Sequence, residues 1–206
     1  MILVTGAARS GTTLTAAILR ASGADFGEVN GLNENTHVRE QVVKVHLRHI
    51  GVDPLCQNPL PTTLQVVTNL RTDWRQLVEN GLKGATAYKG AKMCLMWQQW
   101  VDAFPEAKWV IVRRSDAGII DSCLRTSFMK AFGTPEGWQG WLDVHKQRFN
   151  EMIMAGLDVV EFWPEHFKEG DDSSYYDLVT HLGLTYNPVD ARKCILPGKL
   201  RNGRSG

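Results

Sequence analysis

Ile2-Leu3-Val4-Thr5-Gly6-Ala7-Ala8-Arg9-Ser10-Gly11-Thr12-Thr13-Leu14 reads as a strand, a glycine-bracketed loop and the first turn of a helix. The apolar run from Ile2 to Val4 enters a loop bounded by Gly6 and Gly11, and a helix-like segment, Thr12 to Ala21, follows directly. That order builds an anion cradle. The first N–H groups of a helix have no intrahelical acceptor, and the helix dipole adds partial positive charge at the same end. Without a Cβ, Gly6 and Gly11 let the backbone bend tightly and approach a phosphate closely. The stretch predicts a loop that holds a phosphorylated group.

The spacing Gly6-x-x-x-x-Gly11 is that of a Walker A loop, which should continue with Lys and then Ser or Thr. Here Thr12 and Thr13 follow, and the only cation is inside the loop, at Arg9. Nucleotide hydrolysis would also want a strand ending in an Asp that holds Mg²⁺. The best candidate strand, Trp109-Val110-Ile111-Val112, ends instead in Arg113-Arg114. Both departures argue against ordinary phosphoryl transfer.

The near-continuous hydrophobicity of Trp109 to Val112 suits a buried parallel strand. Ligands in open α/β sheets bind beyond the carboxyl ends of the strands, where these arginines stand. A guanidinium there can fork two hydrogen bonds onto a phosphate, which an ammonium cannot. Ser115 or Asp116 is placed to cap a helix running through Ile119, Ile120 and Cys123, and Ser122 lies near two turns into it.

Arg9-Ser10-Gly11-Thr12-Thr13-Leu14 resembles the phosphosulfate loop of the sulfotransferases that use 3′-phosphoadenosine-5′-phosphosulfate. The segment from Phe104 to Ser122 is similar to that family's signature for the donor's 3′-phosphate, in which Ser stands eight positions after Arg. This spacing selects Arg114 and Ser122 rather than Arg113. Lys89-Gly90-Ala91-Lys92 resembles the family's K-x-x-R segment, and Tyr175 to Leu184 its C-terminal L-x-x-x-L-G-L helix; the matches run in order to about residue 185. The resemblance implies a P-loop-type parallel β-sheet flanked by helices on both faces, in a single domain over residues 1–206. It further implies donor contacts from Ala8, Arg9, Ser10, Gly11, Thr12, Thr13, Arg114 and Ser122, with no metal.

Gly31-Leu32-Asn33-Glu34-Asn35 resembles the G-x-x-E-[DN] segment that supplies a general base in relatives, which selects Glu34, with His37 one turn along as second candidate and Glu28 and Glu40 flanking as further alternatives. Arg9 would offset charge on the transferring group, and Lys89, ending a predicted strand, would reach the sulfate or the acceptor. In the basic tail Arg201 is the candidate for a second clamp on the 3′-phosphate, although the family's R-K-G triplet is missing. The implied activity is transfer of a sulfuryl group to a hydroxyl or amine of a small-molecule or glycan-like acceptor. The alternatives are a divergent P-loop kinase of a small metabolite or nucleotide, and a non-catalytic protein that binds adenosine 3′,5′-bisphosphate.

A formal charge of +1 over 206 residues argues against a nucleic-acid binder held by a basic surface, so any anion site must be local. Cys56, Cys94, Cys123 and Cys194 form no C-x-x-C pair, and the histidines form no metal pattern. No apolar span of transmembrane length occurs, and the first apolar run is too short for a signal peptide, so a cytoplasmic protein is expected. Since the Golgi members of the family it resembles carry an N-terminal anchor, the resemblance implies a bacterial, phage or other cytosolic type. Strands are predicted at residues 24–26, 85–89, 108–112 and 157–162. Helices are predicted over Val38 to Ile50, Thr72 to Asn80, Leu95 to Phe104, 116–123 and Pro135 to Ala155, with an irregular surface connection at 51–64. The pairs Trp97/Trp100 and Trp138/Trp141 share helix faces and are read as core.

Overall fold

Every residue of the first strand, Ile2–Thr5 (β1), is buried, and it lies inside a parallel sheet of order β2-β1-β3-β4. The computed structural model describes residues 1–58 and 72–195. Among them the other strands are Ala87–Lys89 (β2), Lys108–Val112 (β3) and Val159–Phe162 (β4), all in parallel register. Val4 pairs with Lys89 on one side and Val110 on the other. The chain thus leaves β1 toward one edge, through β2, and later returns to its other flank with β3. Such a reversal opens a crevice at the carboxyl end of β1, where ligands of open α/β sheets bind.

Alternate residues of the strands supply two cores, as a period of two requires. Leu3, Tyr88, Trp109 and Ile111 face one layer; Ile2, Val4, Val110, Val112 and Phe162 face the other. The first layer is built by α2 (Lys44–His49), α3 (Trp74–Leu82), α4 (Trp97–Ala103) and part of α6 (Pro135–Met154). The second is built by α1 (Thr12–Ala21), α7 (Pro164–Glu169), α8 (Asp172–Leu182) and α9 (Pro188–Lys193). A third cluster joins Ala7 of the glycine loop to Ile119 and Cys123 of α5 (Asp116–Leu124) and to Trp138, Trp141 and Leu142 of α6. It supports the loop from beneath.

The predicted elements are present with boundary shifts, and four readings need correction. Residues 24–26 form no strand; the Asp25 carbonyl instead accepts from the amides of Thr86 and Ala87 and ties the chain to the start of β2. The helix over Val38 to Ile50 begins as a π-helical stretch, Val38–Val43, before α2. That predicted from Leu95 begins as a 3₁₀ turn, Met93–Met96, before α4. The connection at 51–58 is not all surface, because Cys56 and Gln57 are buried; Trp141 donates its indole N–H to the Cys56 carbonyl. Residues 59–64 of that connection lie outside the described residues. Trp100, Trp138 and Trp141 are core, with Trp97 half-buried beside them.

Candidate active site

The loop after β1 is drawn tight by its own geometry. Gly11 has φ 103 at the N-cap of α1, and a Cβ there would stand 2.8 Å from Cγ of Pro164 at the start of α7. At Gly6 a Cβ would meet the Val112 carbonyl at 2.7 Å. Arg9 adopts φ 75, a left-handed conformation that costs a non-glycine residue about 1–2 kcal/mol. Among the described residues the amides of Gly11, Thr12 and Thr13 find no acceptor, α1 has no side-chain cap, and the buried Ser10 hydroxyl has no partner. A buried hydroxyl at the open end of a helix is a polar group awaiting an acceptor or donor from outside the chain.

The two basic segments selected from the sequence meet at this loop. Arg9 Nε donates to Ser122 Oγ at 2.8 Å, and Arg114 Nη1 donates to the Arg9 carbonyl at 3.1 Å. Arg114 also donates from Nε to Glu165 of α7 at 3.0 Å. Arg113 is used differently: it pairs with Glu161 and lies over the Phe149 ring at 4.5 Å. Burial holds the Arg9 guanidinium below its ordinary range, with Cys123 opposing and Arg114 reinforcing the shift. Beside these residues a groove of about 210 Å³ is lined by Ala7, Arg114, Asp116, Ile119, Lys146 and Trp163. Ser115 stands at the N-cap of α5 without a side-chain capping bond, and Asp116 instead accepts from Lys146 at 2.8 Å, so neither makes the cap expected of it.

On the other side of the loop, Lys89 at the end of β2 donates to Glu34 Oε1 at 2.8 Å, to the Leu32 carbonyl at 3.2 Å and to Thr13 Oγ1 at 3.4 Å. Arg39 Nε stands 3.0 Å from the second Glu34 oxygen. Burial lowers the pKa of Lys89, and the charge and hydrogen bond of Glu34 oppose that shift. Glu34 is aimed by asparagines that sequence reading passed over. Asn30 Oδ1 accepts from the amides of Leu32 and Glu34, and Asn33, at φ 55, donates to the Thr13 carbonyl. Short polar side chains that bond to nearby backbone make such turns, so a run of Asn and Gly was the signal available.

The structure therefore brings together Arg9, Ser10, Gly11, Arg114 and Ser122, and separately Thr13, Lys89 and Glu34. Thr12 is buried as the first residue of α1, and Ala8 packs against the α5–α6 cluster. His37 is exposed and lies against Gly81 of α3. Arg201 lies outside the described residues. Arg39, Lys146, Trp163 and Glu165 stand beside these residues although pattern alone did not select them, and Lys92 was singled out only as the end of the K-x-x-R-like segment.

A family model described as a sulfotransferase domain matches residues 1–180. This chain belongs to the sulfotransferase family. The sulfotransferase domain from the curacin biosynthetic pathway superposes with a TM-score of 0.65 at 12% identity, covering 96% of this chain and 78% of that one. Sulfotransferase STF1 from Mycobacterium tuberculosis H37Rv superposes with a TM-score of 0.51 at 15% identity, covering 94% and 69%. At such identities these likenesses speak for the sulfotransferase fold alone. No curated protein sequence matches the chain. Among the described residues no helix is long and apolar enough to cross a membrane, and no cluster of His, Cys, Asp or Glu could hold a metal ion.

Proposed function

We propose that this sulfotransferase moves a sulfuryl group from 3′-phosphoadenosine-5′-phosphosulfate to a hydroxyl or amine of a small-molecule or glycan-like acceptor. The observation that carries the reading is the Arg9–Ser122 hydrogen bond, which makes one continuous surface of the glycine loop and the Arg114 segment. The residues present fit the donor: the unpartnered Ser10 hydroxyl, the free amides of Gly11 to Thr13 and the close approach permitted at Gly11 suit a phosphosulfate. Arg114 and Ser122 would hold the 3′-phosphate, and Trp163 with Lys146 would flank the nucleoside.

When bound, the donor supplies an activated sulfuryl group whose bond to the 5′-phosphate breaks as the acceptor bond forms. The loop amides, with the Arg9 guanidinium nitrogens not bonded to Ser122, would offset charge on the sulfuryl and bridging oxygens. Lys89, within reach of Thr13 and Glu34, adds positive charge between the loop and the acceptor side. Glu34 accepts the acceptor proton. Because both its oxygens face cations, this role requires the Arg39 or Lys89 contact to yield when acceptor binds.

The test is thermal denaturation with and without ligand. Adenosine 3′,5′-bisphosphate, without metal, should raise the melting temperature far more than adenosine 5′-phosphate or ATP does. Greater stabilisation by ATP with Mg²⁺ would transfer the assignment to a kinase. Transfer of ³⁵S from labelled donor to an acceptor mixture then separates an enzyme from a non-catalytic binder.

A further inference from the structure

Beyond Glu34 the charges continue in one alternating chain. Lys89 meets Glu34, Glu34 meets Arg39, Arg39 Nη1 meets Glu40 at 2.9 Å, and Lys44 Nζ reaches both Glu40 oxygens at 2.8 and 2.9 Å. Every carboxylate in that chain is already shared by two cations. Lys92 stands beside it, lining one pocket with Glu34, Arg39, Val43, Tyr88 and Met93. Lys92 is half-buried, its side chain makes no hydrogen bond or ion pair among the described residues, and burial pulls its pKa down. The groups that act on it are the Cys56 thiol and Glu34, which favour its charge, and Arg39 and Lys44, which oppose it. Burial in turn pushes the Cys56 thiol up to about 12, so it supplies no thiolate. In and beside that pocket stand four cations, Lys89, Arg39, Lys44 and Lys92, against two carboxylates, Glu34 and Glu40, and an anionic ligand offsets such an excess.

We propose that the acceptor is itself an anion: a hydroxyl-bearing molecule with a carboxylate, phosphate or sulfate close to the reacting oxygen, held between Lys92 and Arg39. The inference rests on the sulfuryl-transfer reading, with Glu34 as the group that meets the hydroxyl. Lys92 and Glu34 line the same pocket, which has room for only about 10 Å³, so a short acceptor reaches both as the Arg39–Glu34 contact yields. Tyr88, Val43 and Met93 give that short carbon frame an apolar wall. An anion here also draws Arg39 away from Glu34, freeing one carboxylate oxygen for the proton.

The experiment has two arms, both with Lys92→Gln and Lys92→Arg beside the native chain. In the first, the protein is saturated with adenosine 3′,5′-bisphosphate so that the glycine loop is filled, and sodium sulfate is compared with sodium chloride at equal ionic strength. Sulfate should raise the melting temperature of the native chain and of Lys92→Arg beyond the chloride value, and the excess should vanish in Lys92→Gln. In the second, labelled donor is offered with 4-hydroxybenzoate against 4-hydroxybenzamide, and glycerol 3-phosphate against glycerol. The charged member of a pair should be favoured about tenfold or more in kcat/KM, and Lys92→Gln should remove most of that preference while bisphosphate affinity is unchanged. An equal sulfate response in all three proteins, or turnover blind to charge, overturns the inference; if neither pair is turned over, the sulfate arm decides. A native chain that fails to bind bisphosphate overturns the sulfuryl-transfer reading itself, so the two failures are distinct.

Discussion

Arg9 Nε and Ser122 Oγ lie 2.8 Å apart although 113 residues separate them, which locks the loop after β1 to the second turn of α5. The same arginine has a left-handed backbone. Its side chain and its main chain are therefore both committed, the carbonyl to Arg114 and the guanidinium to Ser122.

The backbone cost at Arg9 separates two truncations. Arg9→Gly and Arg9→Ala lose the same guanidinium, but only alanine retains the left-handed penalty, so the glycine variant should be more stable by about 1 kcal/mol in urea denaturation. Both should bind adenosine 3′,5′-bisphosphate at least about tenfold more weakly by calorimetry, the scale of one lost charge-assisted hydrogen bond. An alanine variant as stable as the glycine variant contradicts the strain at this position.

Gly11→Ala drives a methyl against Pro164 and should cost about 1–3 kcal/mol while abolishing bisphosphate affinity. Pro164→Ala removes the contacting ring atom, so the double variant should be less destabilised than the sum of the singles. Additive losses would show that only the φ of 103 matters.

Glu165 occupies the Arg114 Nε donor that a 3′-phosphate would claim. Glu165→Gln should tighten bisphosphate binding several-fold, because a neutral amide competes less well than a carboxylate. Arg114→Ala should weaken it by about 10–100-fold, as expected for a charged hydrogen bond of about 1.5–3 kcal/mol. Unchanged affinity in both variants would move the 3′-phosphate elsewhere.

Glu34→Gln should lower kcat by about 10²–10⁴ while leaving bisphosphate affinity intact. Glu34→Ala carries a further cost, since the Lys89 side chain is only 4% exposed and loses its counter-ion. Removing one partner of such a pair costs about 3–5 kcal/mol, and Glu34→Ala with Lys89→Met should recover most of it without recovering activity. Retained turnover in Glu34→Gln would pass the proton-accepting role to another group.

Acid stability should depend on His145. Burial pulls its imidazole down to about 4, with its ring Nδ1 2.9 Å from the Trp141 carbonyl. Between pH 6.5 and about 4 the unfolded chain binds this proton and the folded chain does not, so stability falls as pH is lowered through that window. The slope is about 1.4 kcal/mol per pH unit at most. Urea midpoints for His145→Gln should flatten over that range; an unaltered slope assigns the acid sensitivity elsewhere.

The layers were legible because they depend on local pattern. Trp109 to Val112 are apolar without interruption and, after a half-buried Lys108, form the buried part of β3 as expected. Thr134 followed by Pro135 starts α6 where a cap and an N1 proline should, and its hydroxyl accepts from the Gly137 amide. The failures are equally physical. Residues 24–26, Ala-Asp-Phe, carry only Phe26 as a strand former, and the Asp25 carbonyl is spent on the amides opening β2. The π-helical start at Val38 answers a tertiary demand, since Val38 and Asn35 pack against Gly81 of α3.

Pattern alone picked out the glycine loop as a candidate anion cradle, and the resemblance's Arg-to-Ser interval picked Arg114 as the candidate over Arg113. Glycine spacing, an absent lysine and an Arg-to-Ser interval are local properties of the chain, and they survive any arrangement of distant parts. Which charges meet follows from the fold. Glu34 faces Lys89 across 55 residues and Arg114 faces Glu165 across 51. A single chain carries no record of which of its carboxylates lies near which cation, because that depends on the order of strands in the sheet. Lys92 draws its significance from the same source: its distinction is a missing partner, visible only after the other charges have found theirs.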